Sequence, residues 1–266
     1  MMRALFKLAL RMTRIRGLNR LDRPLRNLAR RPPVDRVDDL LMALDPLEGS
    51  QLDLMAGHVA EAGTLALMRR LLAPGDTFVD VGAHVGLHSL VAANAVGPDG
   101  QVIAIDPQPY CCERVLTNAA LNGLTNILVI VAAAGEIDGF VTLHSQQRGD
   151  HTRLTLTGEG IADLPARFEA PLARLDTLAA RHELGPIKLL KIDVEGYEAE
   201  VLMGAAGSLA VTEHIIFEIL PGAPQAKTEQ IVRTLNDLGF VLRRLDGASW
   251  APGSRSPEDN VWAARA

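Results

Sequence analysis

Cysteine and aromatic residues are scarce in this chain of 266 residues, which has two Cys, six Phe, two Trp and two Tyr. The adjacent Cys111 and Cys112 suit neither a disulfide framework nor a zinc site, and so few aromatic rings offer no obvious stacking platform for sugars or bases. No apolar run approaches the ~18 residues that span a bilayer, and no signal-peptide core with a cleavage site is present. We therefore expect a cytoplasmic protein that is soluble or at most peripheral at the inner membrane surface.

What the chain does have is enough apolar sequence for one good core. Apolar residues make up 48% and charged residues 22%, which is typical of a globular α/β domain. We expect a basic, helical N-terminal extension over residues 1–44 and a domain over residues 45–266. The core of that domain is predicted over 74–265, with an inserted hairpin and loop at about 139–170, where the sequence is rich in Gly, Thr and charge.

The net charge of −5 conceals a basic arm on an acidic body. Residues 1–36 carry 11 Lys or Arg against two Asp, which gives them +9 and leaves −14 for the rest. Between the arginines, apolar residues recur at helical spacing, namely Leu5, Leu8, Met12 and Ile15. This pattern predicts an interfacial helix that contacts an anionic membrane through residues 1–31. Nucleic acid, a less expected partner, would attract the same charge, and an arm folded back on the acidic body is an equal alternative.

A Gly-bearing turn after a short β-branched run is the first candidate for a ligand site. The run over 77–81 predicts a buried strand, and Asp80-Val-Gly-Ala-His-Val-Gly86 leads from it into a helical pattern. Gly82 lets the backbone turn sharply, and the free N–H groups of the following helix attract an acidic group. Asp106, followed by Pro107, ends the next apolar run and could accept both hydroxyls of a ribose. The pattern predicts a nucleoside cofactor at the carboxyl ends of the strands of an open α/β sheet.

The residues of this turn also indicate which nucleoside binds. His84 occupies the position of the second glycine of a dinucleotide-binding turn, where a side chain would crowd a pyrophosphate. The smaller aminocarboxylate end of S-adenosylmethionine need not be crowded. No Gly-x-x-x-x-Gly-Lys-Ser/Thr sequence is present, which excludes a P-loop. A tight strand-to-helix turn that binds nothing is the alternative.

Strand and helix patterns alternate along the chain. The segment from 36 to 73 is predicted to be helical, with an amphipathic helix over Val59–Leu72. Beyond it the predicted strands are 77–81, 101–106 and 126–132, and the predicted helices are 86–95 and 109–121. Crossovers of this length predict right-handed βαβ units and therefore a parallel sheet.

Carboxylates mark two later strands. Asp193 ends an apolar run, Glu195 is predicted to begin a helix that continues through Met203, and Glu218 interrupts another apolar run. A charge inside an apolar strand is unfavourable unless it is paired or lies at the rim of the sheet. Asp193 could instead cap a helix, Glu195 could be a favourable first-turn charge, and Glu218 could make a structural hydrogen bond. Three carboxylates beside a cofactor turn favour a catalytic site.

These segments together resemble the FkbM family of S-adenosylmethionine-dependent methyltransferases. The resemblance rests on the turn from Asp80 to Gly86, Asp106-Pro107, Leu175-Asp-Thr-Leu178, Lys191-Ile-Asp-Val-Glu-Gly-Tyr-Glu198 with Val201-Leu-Met-Gly204, and Phe217-Glu218. It covers about residues 45–265. The chain departs from the common pattern at two positions, with His84 in place of Asn and Asp106 in place of Glu.

The resemblance implies a class I methyltransferase fold, an α/β, Rossmann-like fold with helices on both faces of a seven-stranded, mostly parallel sheet. Its last, antiparallel strand would be Asn260–Ala264, in a hairpin with Phe240–Leu245. S-adenosylmethionine is the implied cofactor, and the residues expected to bind it are Asp80, Gly82, Ala83, His84, Gly86, Asp106 and Pro107. Many relatives methylate hydroxyl groups, so O-methylation of a sugar, glycolipid or secondary metabolite is implied.

Methyl transfer from a sulfonium is an in-line displacement, and an alcohol acceptor must lose its proton as it attacks. We expect Asp193 nearest the methyl group, orienting the acceptor or holding the methionine amine, with Glu195 and then Glu218 as further catalytic candidates. The histidines that could act as base or contact the acceptor are His84, His88, His144 and His151. No distinct metal-ligand spacing is present, so no metal is predicted.

Two other functions stay open. A nicotinamide-dependent sugar-nucleotide enzyme would share the sheet, but the chain lacks the second glycine of the turn and a Tyr-x-x-x-Lys pair. A catalytically silent binding domain would keep the fold and use the basic arm.

Overall fold

A computed structural model describes residues 32–46, 48–59, 61–145, 154–155, 166–220, 223–254 and 258–265. The predicted membrane-contacting arm and His151 lie outside the described residues, so membrane contact stays a prediction. Within the described residues, no helix has the length and apolar character that crossing a bilayer requires. The chain divides into two compact units, one ending at Val59 and one beginning at Ala60.

The described part of the first unit contains a β-hairpin and a short helix. Strands β1 (Val34–Val37) and β2 (Leu40–Ala43) pair antiparallel, and helix α1 (Gly49–Met55) follows them. The two turn residues, Asp38 and Asp39, have positive φ angles of 47° and 66°. Two successive positive φ values are typical of a type I′ turn, whose twist matches that of paired strands.

The second unit alternates strands and helices. Its strands are β3 (Thr77–Val81), β4 (Gln101–Asp106), β5 (Ile127–Val131), β6 (Ala133–Ala134), β7 (Gly139–Ser145), β8 (Leu154–Thr155), β9 (Ala166–Ala173), β10 (Ile187–Ile192), β11 (Thr212–Glu218), β12 (Phe240–Arg243) and β13 (Asn260–Arg265). Its helices are α2 (Ala62–Leu71), α3 (Leu87–Val96), α4 (Pro109–Leu121), α5 (Leu175–Arg181), α6 (Glu198–Met203), α7 (Ala206–Ala210) and α8 (Gln225–Asp237).

Among the described residues, seven strands form one sheet in the order β12-β13-β11-β10-β3-β4-β5. The five strands from β11 to β5 pair in parallel, whereas β13 runs antiparallel to both of its neighbours. This arrangement confirms the class I fold that the resemblance implied, including the reversed last strand and its hairpin with β12. The central strands β3, β4 and β10 are mostly apolar and buried on both faces, and Phe78 and Val79 on β3 are completely buried.

Several elements have the bounds predicted from the sequence, in particular β3, β4 and α4. Pro109 occupies the first turn of α4, where its missing N–H has no intrahelical partner to lose. The helix ends at Asn122, and Gly123 follows with a φ of 69°. For α4, the residues that begin and end the helix and the spacing of its apolar residues therefore predicted the same bounds.

Two predictions of local structure are wrong. The segment predicted to be helical from residue 36 begins instead with the β1–β2 hairpin, and the alternating burial of β1 has the period of a strand. Glu195 does not begin a helix, because α6 begins at Glu198 and Glu195 itself has a φ of 54°. Asp193 is therefore not the N-cap of α6, a position that Tyr197 occupies.

A second, smaller sheet has the order β6-β9-β7-β8 in the described residues. Strands β7 and β9 pair antiparallel from Gly139 opposite Leu172 to Ser145 opposite Ala166. His144 lies on β7, within this smaller sheet.

Candidate active site

The candidate site residues lie at one edge of the large sheet. Strands β3, β4, β10 and β11 are parallel, so their carboxyl ends share that edge. The Gly-bearing turn follows β3, Asp106 ends β4, Asp193 follows β10 and Glu218 ends β11. The carboxyl group of Glu218 interacts electrostatically with those of Asp193 and Glu195. The carboxyl group of Asp106 interacts in the same way with those of Asp80 and Asp193. Five acidic side chains therefore interact at this edge.

The turn after β3 packs directly against the connection after β10. Gly82 has a φ of 87°, and a Cβ at this position would overlap the backbone carbonyl oxygen of Asp193. Its N–H and that of Ala83 both donate to the carbonyl oxygen of Ile105, at 2.9 and 3.1 Å. Gly82 is required here for both its backbone conformation and its lack of a side chain. Gly86 then serves as the N-cap of α3, with a φ of 90°.

His84 has a backbone role in this turn. Its φ is 49°, in the left-handed region where Asn and His are among the favoured non-glycine residues. Its N–H donates to Oδ2 of Asp106 at 2.9 Å. The left-handed conformation explains how His can stand where the family commonly has Asn.

Asp106 ties the turn to the start of α4. Besides the bond from His84, its Oδ1 accepts the N–H of Gln108 at 2.8 Å, across the intervening Pro107. Burial, together with the nearby Asp80 and Asp193, raises the pKa of this carboxyl to about 7, although the two hydrogen bonds lower it. A carboxylate has about four lone-pair sites, so two are left for hydroxyl donors.

Asp80 lies next to the last residue of β3 and is completely buried. Its Oδ2 accepts the hydroxyl of Ser89 at 2.6 Å, whereas its Oδ1 has no hydrogen-bond partner among the described residues. A buried carboxylate oxygen without a donor is unfavourable. Asp80 is therefore suited to accept a hydrogen bond from a cationic ligand.

Lys191 is a site residue that sequence reasoning missed. This buried side chain lies on β10, and its Nζ is 2.8 Å from Oδ2 of Asp193. Burial alone would lower its pKa, but Asp193, Glu61 and Asp80 outweigh that and raise the pKa above its ordinary value. A lysine in an apolar strand two residues before Asp193 was the signal in the sequence, because alternate residues of a strand share a face.

The contact between Glu61 and His88 was also not predicted from the sequence. Glu61 precedes α2, and its Oε2 lies 2.7 Å from Nε2 of His88 in the first turn of α3. Burial alone would raise the pKa of Glu61, but the hydrogen bond and charge of His88, together with Lys191, hold it at about 2. The pair joins the start of α2 to the helix that follows the cofactor turn.

The connection from β10 to α6 is held by Glu198. Its Oε1 accepts the N–H groups of Val194 and Gly196, at 3.2 and 3.1 Å. Glu195 lies between those residues in the left-handed region. Burial raises the pKa of Glu198, and burial also raises the pKa of Glu218, which reaches about 8 with the help of Asp193, Glu195 and Glu198.

A family model described as the methyltransferase FkbM domain matches residues 80–242, more than half of the chain. The chain belongs to the FkbM methyltransferase family. The match begins at Asp80 in the cofactor turn and ends in β12, so it contains every predicted site residue. Membership decides between the open alternatives for the cofactor, because FkbM proteins are S-adenosylmethionine-dependent methyltransferases and a nicotinamide enzyme is not supported.

Individual relatives agree with the family. Over 208 residues the FkbM chain is 28% identical to methyltransferase sdnD of Sordaria araneosa, covering 67% of this chain and 79% of that protein. Over 182 residues it is 26% identical to hexuronic acid methyltransferase AglP of Haloferax volcanii, covering 64% of this chain and 70% of that protein. The crystal structure of a proposed rRNA-methylase from Clostridium thermocellum has the same fold, with a TM-score of 0.51 and 12% identity over 77% of this chain and 94% of that chain.

The described residues fit S-adenosylmethionine, which is the cofactor of this FkbM methyltransferase. The methionine amine could satisfy Oδ1 of Asp80, the ribose hydroxyls could donate to Asp106, and the N-terminus of α3 could face the methionine carboxylate. Asp193 is held by Lys191 at the same edge.

Proposed function

We propose that the protein transfers a methyl group to a hydroxyl of a sugar, glycolipid or secondary metabolite. The observation that carries this proposal is the half-buried carboxyl of Glu218, which ends β11 beside Asp193 and whose pKa is raised to about 8 by burial and neighbouring carboxylates. An alcohol must lose its proton as it attacks, and a base works best when its pKa lies near the working pH. Glu218 meets that requirement.

The chain divides the work among its carboxylates. S-adenosylmethionine supplies an electrophilic methyl group when it is bound. Glu218 takes the proton from the acceptor hydroxyl, and Asp193, fixed by the buried ammonium of Lys191, orients that hydroxyl. Glu195 adds negative charge beside Glu218, which keeps its carboxyl basic. The sequence ranked Asp193 first among the catalytic candidates. In this proposal Glu218 is instead the first candidate for the base.

A saccharide acceptor is favoured by the similarity to a hexuronic acid methyltransferase. A hexuronic acid offers both a carboxyl and hydroxyl groups, and methylation gives an ester in the first case and an ether in the second. We expect the full chain to transfer radiolabelled methyl from S-adenosylmethionine into a saccharide, glycolipid or small-metabolite fraction. The label should survive mild alkali, which releases methanol from esters but not from ethers. Label that is lost with alkali, or found on nitrogen or carbon, would contradict the proposal.

The pH dependence of methyl transfer tests Glu218 as the base. Because its carboxyl must be ionised, kcat/KM should rise with pH and level off, with an inflection at or below about 8, since a cationic donor nearby favours the carboxylate. Glu218→Gln should lower kcat by roughly 10²–10⁴-fold and remove this inflection. Glu213→Gln, on the exposed opposite end of the same strand, should change neither. An unchanged pH profile in Glu218→Gln would rule out its role as the base.

A further inference from the structure

Lys227 makes three contacts, two with the connection between β10 and α6 and one with the first turn of α6. It lies in the first turn of α8, and its Nζ donates to the carbonyl oxygen of Gly196 at 2.8 Å. The same ammonium lies 2.7 Å from Oε1 of Glu200 and 5.7 Å from the centre of the Tyr197 ring. All three partners lie within seven residues after Asp193. One side chain from a helix much later in the chain therefore holds this connection.

The connection between β10 and α6 has a backbone conformation that must be held by its surroundings. Glu195 and Gly196 both have positive φ, of 54° and 94°. A non-glycine residue in that region is strained by roughly 1–3 kcal/mol, and it persists where the surroundings hold it. Glu198 holds the two flanking N–H groups, and Lys227 holds the carbonyl oxygen of Gly196. The left-handed conformation of Glu195 is therefore constrained from both ends.

Gly196, whose carbonyl oxygen accepts from Lys227, also lies near the chain segment that follows Glu218. A Cβ placed on Gly196 would be 3.7 Å from Cδ1 of Leu220, two residues beyond Glu218. Gly196 thus approaches both Lys227 of α8 and Leu220, which follows β11. Fixing Gly196 fixes the separation between the segment that carries Asp193 and Glu195 and the segment that carries Glu218.

We propose that Lys227 is a positioning residue for methyl transfer, which sets the relative placement of Glu195, Asp193 and Glu218 through its contacts with Gly196, Tyr197 and Glu200. The inference rests on the catalytic roles proposed above for those carboxylates. Cofactor binding is assigned to the turn after β3 and to Asp106, whereas the described contacts of Lys227 lie on residues 196–200. Loss of Lys227 therefore affects the rate of transfer and leaves cofactor affinity in place.

Lys188 provides a matched control. Its side chain is 26% exposed and pairs with Glu213 at 2.5 Å, whereas that of Lys227 is 31% exposed and pairs with Glu200 at 2.7 Å. Lys188 lies at the amino end of β10, remote from Asp193 along the same strand. Lys188→Met and Lys227→Met each remove one partly exposed ion pair, but only the second touches the catalytic connection.

We expect Lys227→Met to lower kcat at least 10-fold, with the Kd for S-adenosylmethionine within 2-fold of the unmodified chain, since small misplacements of reacting groups strongly slow transfer. Lys227→Arg should restore at least half of kcat, because its guanidinium can still donate to a carbonyl and a carboxylate. Lys188→Met should match the unmodified chain. Equal kcat in Lys227→Met and Lys188→Met, or a parallel loss of kcat and cofactor affinity, would overturn the proposal.

Amide hydrogen exchange gives a readout that needs no acceptor. Exchange of residues 194–200 should be at least 10-fold faster in Lys227→Met, with α3 unchanged, whereas Lys188→Met should leave both unchanged. Unchanged exchange at 194–200 would overturn the positioning role even if hydroxyl methylation is found. Should Lys227→Met fail to fold, Lys227→Gln, which keeps an N–H donor but no charge, is measured in the same way. Faster exchange in a chain that methylates no hydroxyl would support the positioning and contradict only the proposed acceptor.

Discussion

Replacing Lys191 with methionine is expected to reduce the free energy of unfolding by about 3–5 kcal/mol, because breaking a buried ion pair leaves an uncompensated buried charge. The ammonium is buried 2.8 Å from Asp193 and also balances Glu61 and Asp80. Methionine matches its length and fills its volume, so the loss reports charge rather than packing. The measurement is urea denaturation at pH 7.5, with methyl transfer measured in parallel.

The pH dependence of this loss follows from the direction of the pKa shift. The pKa of Lys191 lies above its ordinary value of 10.5, so its contribution to stability is fully present below that value and is lost as the pH rises through the higher pKa of the folded state. Below about pH 9 the titration of Lys191 itself should add no pH dependence in the unmodified chain. In Lys191→Met the destabilisation should shrink towards low pH, as the unpaired carboxylates take up protons.

Lys188→Met again supplies the comparison, because its surface ion pair is worth at most about 1 kcal/mol. Transfer should fall about 100-fold in Lys191→Met if Asp193 orients the acceptor. Equal stability of the two variants would show that the buried pair contributes no more than the surface pair. A stability loss with normal transfer would instead separate folding from the orientation of Asp193.

The elements that the sequence predicted well are those fixed by local chemistry. Strands β3 and β4 are short β-branched runs buried on both faces, and α4 carries Pro at its start and Asn-Gly at its end. The cofactor turn was recognisable because Gly82 and Gly86 occupy backbone conformations that few other residues adopt. These signals lie within a few residues of the structure they determine.

The wrong predictions concern segments whose conformation is not evident from the residues next to them in the chain. Around Glu195 the sequence is compatible with a helix, and the carbonyl oxygen of Gly196 accepts a hydrogen bond from Lys227, 31 residues away along the chain. The β1–β2 hairpin turns at Asp38-Asp39, which lacks the Asn-Gly or Asp-Gly signal of a type I′ turn. Local propensity could not identify either conformation.

The same limit applies to the charges of the site. The sequence placed Asp80, Asp106, Asp193 and Glu218 at one edge, because parallel strands share their carboxyl ends. It did not show that Glu61, far earlier in the chain, lies close enough to Lys191 and His88 to interact with both. The balance between one buried ammonium and several carboxylates is a tertiary property, and it determines which carboxyl is left basic.

Asp80→Asn is expected to weaken S-adenosylmethionine binding by about 100-fold or more, roughly 3 kcal/mol. Asparagine keeps the shape of Asp80 and an oxygen for the Ser89 hydroxyl, but it places an N–H₂ group where Oδ1 now lies without a partner in the described residues. A cationic amine would then meet a donor instead of a carboxylate. Binding is measured by calorimetry, with Asp99→Asn, on the exposed turn before β4, as the control.

The product of transfer sharpens this test. S-adenosylhomocysteine keeps the amine and loses the sulfonium charge, so Asp80→Asn should weaken cofactor and product equally if Asp80 binds the amine. Weakening of S-adenosylmethionine alone would place Asp80 near the sulfonium instead, and an unchanged Kd for both would remove it from the site. Asp106→Asn, which keeps an oxygen for a backbone N–H group, should weaken both ligands less, because the ribose hydroxyls are neutral donors. The difference between the two variants therefore reports how cofactor affinity is divided between a charged contact at β3 and neutral contacts at β4.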